Sequence, residues 1–216
     1  MITPAQLRAA QLDAKQAQTR NPGVWCRAFS QMVDEFDLAP PHRLAMWLAQ
    51  CSYESSGFNM LREGLSYRTV EQLRKVFPHE FPTDDSAQRY VMNPNGLGNF
   101  IYANKLGNGD VASNDGFKYR GGGLIQITGR ANYEAAGKAI GRDLVNRPND
   151  IIIEIVAART AGYFWTLKDL NAAADAGDFD HTTRAINGAG MKGAQERRQL
   201  WLAFKAQLGV TEAVAA

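Results

Sequence analysis

The stretch A-M-W-L-A-Q-C-S-Y-E-S-S-G-F-N-M-L-R-E, residues 45–63, decides how the rest of the chain is read. Leu44, Trp47, Leu48 and Cys51 recur at helical spacing and give the segment one apolar face. Ser55 to Gly57 then closes the helix, since glycine takes the left-handed backbone of a helix end without steric penalty. Two carboxylates bracket that break, Glu54 near the helix end and Glu63 beyond it. An unbroken helix would set them about 13 Å apart along the axis and on opposite faces. A turn at Gly57 lets them face each other instead.

Working outward, helical signals dominate. Thr3-Pro4 reads as an N-cap and a first-turn proline, opening a helix to about Gln18 with few large apolar residues. Residues 1–20 are therefore expected to form a peripheral helix. After the turn at Asn21-Pro22-Gly23, an apolar stripe of Val24, Ala28, Met32 and Phe36, widened by Trp25 and Phe29, runs to Leu38-Ala39-Pro40-Pro41. Further helices are expected at 70–77, from Asp84 toward Val91, at 100–106, at 180–186 and at 194–208. The stretch 148–167 is the most apolar and reads as the buried central helix. Glycine-rich loops fill 107–123, followed by a short extended element near 123–128 in which Gln126 and Thr128 alternate with apolar neighbours. Residues 209–216 read as a frayed tail. The pattern predicts a mainly α fold, with residues 1–216 forming one domain.

Composition narrows the function classes. A chain of 216 residues with 45% hydrophobic and 21% charged residues can bury one sizeable core. A formal net charge of +2 leaves no nucleic-acid footprint, yet suits approach to an anionic polymer or envelope. No apolar run is long enough for a membrane span or anchor. The start M-I-T-P-A-Q-L-R lacks signal-peptide character, which places the protein in the cytoplasm until something releases it. Cys26 and Cys51 sit in apolar helical stretches and read as buried, reduced thiols. His42, His79 and His181 are scattered, so neither metal nor other cofactor is implied.

Chemistry concentrates on few residues. Glu54 ends an apolar helix, where partial desolvation would let a carboxyl hold its proton. Glu63, in a polar setting beside Arg62, would stay ionised and could activate a water. Two carboxylates across a gap are what glycosidic cleavage requires. Gln126 and Thr128 could present polar groups beside them, the glycines at 121 to 123 could admit a ligand closely, and Asn187 could bind substrate through its amide or merely make a turn.

The run Y-A-N-K-L-G-N-G-D-V-A-S-N-D-G-F-K-Y-R-G-G-G-L-I-Q-I-T-G-R-A-N-Y, residues 102–133, closely resembles the core motif of family 19 glycoside hydrolases. A-Q-C-S-Y-E-S-S-G-F (49–58) and A-I-N-G-A-G (185–190) match two further signatures in order, so the resemblance covers roughly residues 24–208. It is nearer the phage-endolysin and bacterial lysozyme branch than the plant chitinases. The resemblance implies a lysozyme-like, two-lobed single domain with a cleft. It makes Glu54 the general acid, Glu63 the general base, and Thr128 the residue that holds the attacking water. Gln126, Asn132 and Asn187 fall on substrate-binding positions, with Tyr119 close to the cleft. One arginine of Glu196-Arg197-Arg198 would help organise the site, and Arg197 is counted with the substrate-binding set. The implied mechanism is inverting, with the two carboxyl groups about 6.5–9.5 Å apart, or more in an open apo cleft. Three positions depart from the pattern: Tyr53 where the family often has histidine before the acid, Gly122 within the usual G-R-G, and Ser56 where glycine is more usual.

These residues point to a monomeric endolysin-type muramidase that cuts the β-1,4 bond between N-acetylmuramic acid and N-acetylglucosamine. Its partner would be the peptidoglycan glycan strand. As a phage lysin it would act from the host cytoplasm after holin-dependent release; a delivered toxin would share the chemistry. A chitinase acting on poly-N-acetylglucosamine is the rival enzyme. A catalytically inactive sugar-binding module is the rival of another class, disfavoured because it has no use for an acid, a base and a water-holder together.

Overall fold

In the computed structural model, which describes residues 1–211, nearly all regular structure is helical. The helices are α1 (Pro4–Asp13), α2 (Pro22–Ser30), α3 (Pro41–Glu54), α4 (Val70–Val76), α5 (Asp84–Gln88), α6 (Pro94–Ile101), α7 (Asp115–Lys118), α8 (Arg130–Ala139), α9 (Glu154–Leu167), α10 (Leu170–Asp175), α11 (Phe179–Asn187) and α12 (Ala194–Gln207). None is long and apolar enough to cross a membrane. The described residues divide into two compact units. The first holds Met1–Leu61, Gly123–Ile125 and the residues from Asp150 on; the second holds Arg62–Gly122 and Gln126–Asn149.

In the first unit α3 is the central helix. Every residue from Leu44 to Ser52 is buried, and α10, α11 and α12 all pack against it. The expectation that 148–167 would be central is thus corrected. That stretch is a 3-10 turn followed by α9, which packs on α2 and α10 and leaves Ile152, Ile153 and Leu167 exposed. The sequence hid α3's role because Gln50 and Ser52 interrupt its apolar pattern, yet both are buried with partners. Gln50 Nε2 donates to the Thr182 and Thr183 hydroxyls, and Ser52 accepts from Gln11.

The N-terminal helix begins as expected, with Thr3 and Gln6 forming a reciprocal capping box. It stops at Asp13 and is not peripheral: Leu7, Ala10 and Gln11 are buried, and α1 packs on α2 and α12. Trp25, Phe29, Trp47 and Phe58 form an aromatic cluster with ring centroids 5.3–5.7 Å apart. Cys26 and Cys51 are buried and free, and burial pushes the Cys26 thiol up to about 11.

The break after α3 is enforced by sterics. Ser56, Gly57 and Phe58 all carry positive φ. A Cβ on Gly57 would lie 2.1 Å from the Ala17 carbonyl oxygen, so only glycine fits.

The second unit packs its own core of Leu65, Leu73, Phe81, Ala87, Tyr90, Leu97 and Ile101. Here α6 was not anticipated, and it ends at Ile101, where the sequence suggested a helix over 100–106. The expected extended element near 123–128 shrinks to isolated bridges of Gly122 with Arg62 and with Ile127. Between Gly122 and Ile127 the chain makes a tight turn with positive φ at Gly123 and Gln126, which no strand permits. Of the expected tail at 209–216, residues 212–216 lie outside the described residues.

Candidate active site

Glu54 is the last residue of α3, and the residue that holds it comes from α12. Arg197 is fully buried, yet its guanidinium contacts the half-buried Glu54 carboxylate as an ion pair. It also donates to Gln50 Oε1 at 2.7 Å and to the Lys192 carbonyl at 3.0 Å. The Tyr53 ring covers its remaining face, 4.3 Å from centroid to guanidinium carbon. Gln50 and Glu54 are one helical turn apart, so a single guanidinium reaches both. Arg197 therefore positions Glu54 from behind; the expectation that it contacts substrate is corrected, because no part of it is exposed. The resemblance offered one arginine of Glu196-Arg197-Arg198 as organising the carboxylates without saying which, and Arg197 is the one that contacts Glu54.

Beside Glu54 lies a pocket of about 400 Å³ in the same unit, lined by Tyr53, Glu54, Asn187 and Lys192 among others. Asn187 ends α11, and its Oδ1 accepts from the Lys192 N–H at 2.6 Å, so its carbonyl shapes the following loop while the residue borders the pocket.

In the second unit, Glu63 is fixed by different chemistry. The Tyr102 hydroxyl donates to Glu63 Oε1 at 2.8 Å and the Gly121 N–H to Oε2 at 3.0 Å. The Glu63 N–H donates back to the Gly121 carbonyl at 2.9 Å. Gly121 permits this approach: a Cβ there would sit 3.1 Å from Glu63 Cβ and 2.8 Å from Gln126 Oε1. Burial first, and the Glu63 charge second, push the Tyr102 phenol up, so it remains a donor across the working pH range. The same two causes push Tyr67 up. The neighbouring Arg62 is engaged elsewhere: it donates to Tyr133 Oη at 2.9 Å, to the Pro148 carbonyl and to Asn149 Oδ1.

Gln126, Thr128 and Asn132 form a local chain. Gln126 Oε1 lies against Gly121, Thr128 Oγ1 donates to the Gln126 carbonyl at 3.0 Å, and Asn132 Nδ2 donates to the Thr128 carbonyl at 2.8 Å. Thr128 spends its one proton on Gln126 and keeps lone pairs to accept from a water. Tyr119 is corrected: it is buried, its hydroxyl donates to the Val145 carbonyl at 3.0 Å, and its ring meets Tyr133 edge-on. It supports the fold of this unit and presents no surface to a substrate.

Sequence reasoning passed over Tyr102, Gln50 and Lys192. Tyr102 opens the quoted 102–133 motif, and Gln50 is a lone amide in an apolar helix one turn from Glu54; both were findable signals. Among the described residues no group of three or more His, Cys, Asp or Glu side chains is arranged to hold a metal.

Several known proteins resemble this chain. The family model described as "Chitinase class I" matches residues 89–178. A glycosyl hydrolase family 19 domain-containing protein of Haemophilus influenzae is 40% identical over 183 residues, spanning 84% of this chain and 88% of that protein. An endochitinase of Arabidopsis thaliana is 35% identical over 127 residues, 53% of this chain and 44% of its own length. Among solved structures, a bacterial family 19 chitinase covers 99% of this chain and 98% of its own, with TM-score 0.59 at 23% identity. The class IV chitinase of Zea mays gives TM-score 0.59 at 19% identity, covering 98% and 94%. These two show a shared fold.

Proposed function

The chain belongs to glycoside hydrolase family 19 and is a glycosidase, and from that premise we propose that it hydrolyses peptidoglycan between N-acetylmuramic acid and N-acetylglucosamine. The observation that carries the acid–base reading is the anchoring of the two carboxylates. Glu54 rests on a guanidinium at a helix end; Glu63 rests on a phenol and a backbone N–H. Two carboxyl groups, each held by its own partners, supply the pair that glycosidic cleavage needs, and the resemblance to the family motif assigns the acid role to Glu54 and the base role to Glu63. Glu54 protonates the leaving oxygen, Glu63 takes a proton from water, and Thr128 accepts a hydrogen bond from that water. Inversion follows, with the product released as the opposite anomer.

The Haemophilus relative, which matches across most of both chains, carries the family alone, and the bacterial wall as substrate draws its support from the resemblance of the 102–133 motif to the lysozyme branch. A chitin substrate has its own support in the endochitinases, although this chain spans under half the length of the Arabidopsis enzyme. A lytic role, with release from the producing cell by a separate membrane-permeabilising partner, completes the proposal. The test is clearing of permeabilised Gram-negative cells by the wild type and by Glu54→Gln. General acid catalysis contributes about 10²–10⁴-fold, and the variant should lose that much. Equal clearing by both proteins would refute the role given to Glu54.

A further inference from the structure

The pocket beside Glu54 carries a positive charge that the catalytic reading does not use. Lys192 lies on the segment between α11 and α12, and its main chain is clamped on both sides. Its N–H donates to Asn187 Oδ1 at 2.6 Å, and its carbonyl accepts from Arg197 Nε at 3.0 Å. Since Arg197 also holds Glu54, the position of Lys192 is tied to the proposed acid through one buried side chain. The Lys192 side chain itself is exposed, and among the described residues no carboxylate lies within ion-pair distance of its ammonium group. Of the other cations on α11 and α12, Arg198 pairs with Asp180, and Arg184, which meets the neutral Met191 Sδ, does not line the pocket. Glu54, the one carboxylate lining the pocket, is taken by Arg197, which leaves a single unbalanced positive charge at the pocket wall.

We propose that Lys192 recognises a carboxylate of the substrate, selecting glycan strands that bear acidic peptide stems over neutral aminosugar polymers. This rests on the peptidoglycan reading. Chitin carries no charge for Lys192 to meet, whereas each muramic acid bears on its lactyl ether a peptide with free carboxylates. An ammonium on a four-carbon stem suits that ligand, because stem carboxylates vary in position and a compact charge with three donors imposes little geometry. Lys192 is a specificity residue in this role and takes no part in bond cleavage.

The experiment compares one polymer in two forms: purified peptidoglycan, and the same material with its carboxyl groups amidated. The wild type should lose about 3- to 10-fold in kcat/KM on amidation, the range of a solvent-accessible charge-assisted contact. Lys192→Met should lose less than about 2-fold, and the wild-type preference should fade between low and high salt as the contact is screened. The side chain can be changed safely because its main-chain clamps remain; the melting temperature of the variant checks this. Equal sensitivity of both proteins to amidation, or insensitivity of both, would overturn the role of Lys192 while leaving the muramidase reading in place. Failure of the wild type to cut either form would instead overturn the muramidase reading and this inference with it.

Discussion

Replacing Arg197 with methionine should destabilise the protein by about 2.5–6 kcal/mol, and the structure supplies each contribution. Gln50 Oε1, fully buried, would lose its donor, which costs about 1–3 kcal/mol for an unsatisfied polar atom. Glu54 would lose its ion pair. Its side chain is 20% exposed, so water can reach it, and the penalty falls to about 1–2 kcal/mol, below that of a wholly buried pair. The contact with the Tyr53 ring adds about 0.5–1 kcal/mol. The Lys192 carbonyl can be hydrated and adds little. Methionine keeps most of the apolar stem, so packing survives. At about 2–4 °C per kcal/mol for a chain of this length, the melting temperature should drop by about 5–24 °C, read by calorimetry or far-ultraviolet circular dichroism. Adding Glu54→Gln to Arg197→Met should recover about 1 kcal/mol, because an amide needs no counter-ion; Arg197→Lys should not rescue, since one ammonium cannot serve Gln50 and Glu54 together. A melting temperature within about 2 °C of wild type for Arg197→Met would refute the claim that this residue organises the end of α3.

Further outcomes follow from the same contacts. Tyr102→Phe removes the hydroxyl donated to Glu63 without changing shape; kcat should fall about 10-fold with KM little altered, as steady-state kinetics on wall fragments would show. Asp175 is held at about 2 by hydrogen bonds first from Arg43 and then from His42. Its folded value is depressed below the unfolded 3.8, so the stability it contributes is present above about pH 4 and is lost as pH falls toward 2. Thermal melts of wild type and Asp175→Asn should therefore differ slightly at pH 7 and converge across that window, the difference being small because the pair is open to solvent.

Local chemistry made much of the fold legible. The Thr3-Pro4 start and the stop at Gly57 are short-range signals that produced the helix start and the break expected of them, whereas the stripe from Val24 to Phe36 forms a helix that ends at Ser30, short of the expected Leu38. What failed depended on neighbours distant in sequence. Gln50 and Ser52 made α3 look half-exposed, because their partners Thr182, Thr183 and Gln11 come from other helices. Alternation over 124–128 imitated a strand, but left-handed backbone at Gly123 and Gln126 turns the chain instead. Tyr119 looked available to a sugar from its place in the motif, and hydrogen bonding to Val145 turned it inward. Arg197 was more legible than it first looked. It shares a face of α12 with Leu200 and Phe204, at helical spacing, and those three are the residues that the helix buries. Helix phase could thus have chosen it from the Glu196-Arg197-Arg198 run, while its partner Glu54, 143 positions away, could not be read from phase alone.

The central claim, hydrolysis at the muramic acid position, is tested most directly by the new reducing ends. Peptidoglycan digested to completion, reduced with borohydride and analysed by mass spectrometry should yield fragments ending in reduced N-acetylmuramic acid. Fragments ending in reduced N-acetylglucosamine, or cleavage of chitin oligomers outpacing that of wall strands, would contradict it.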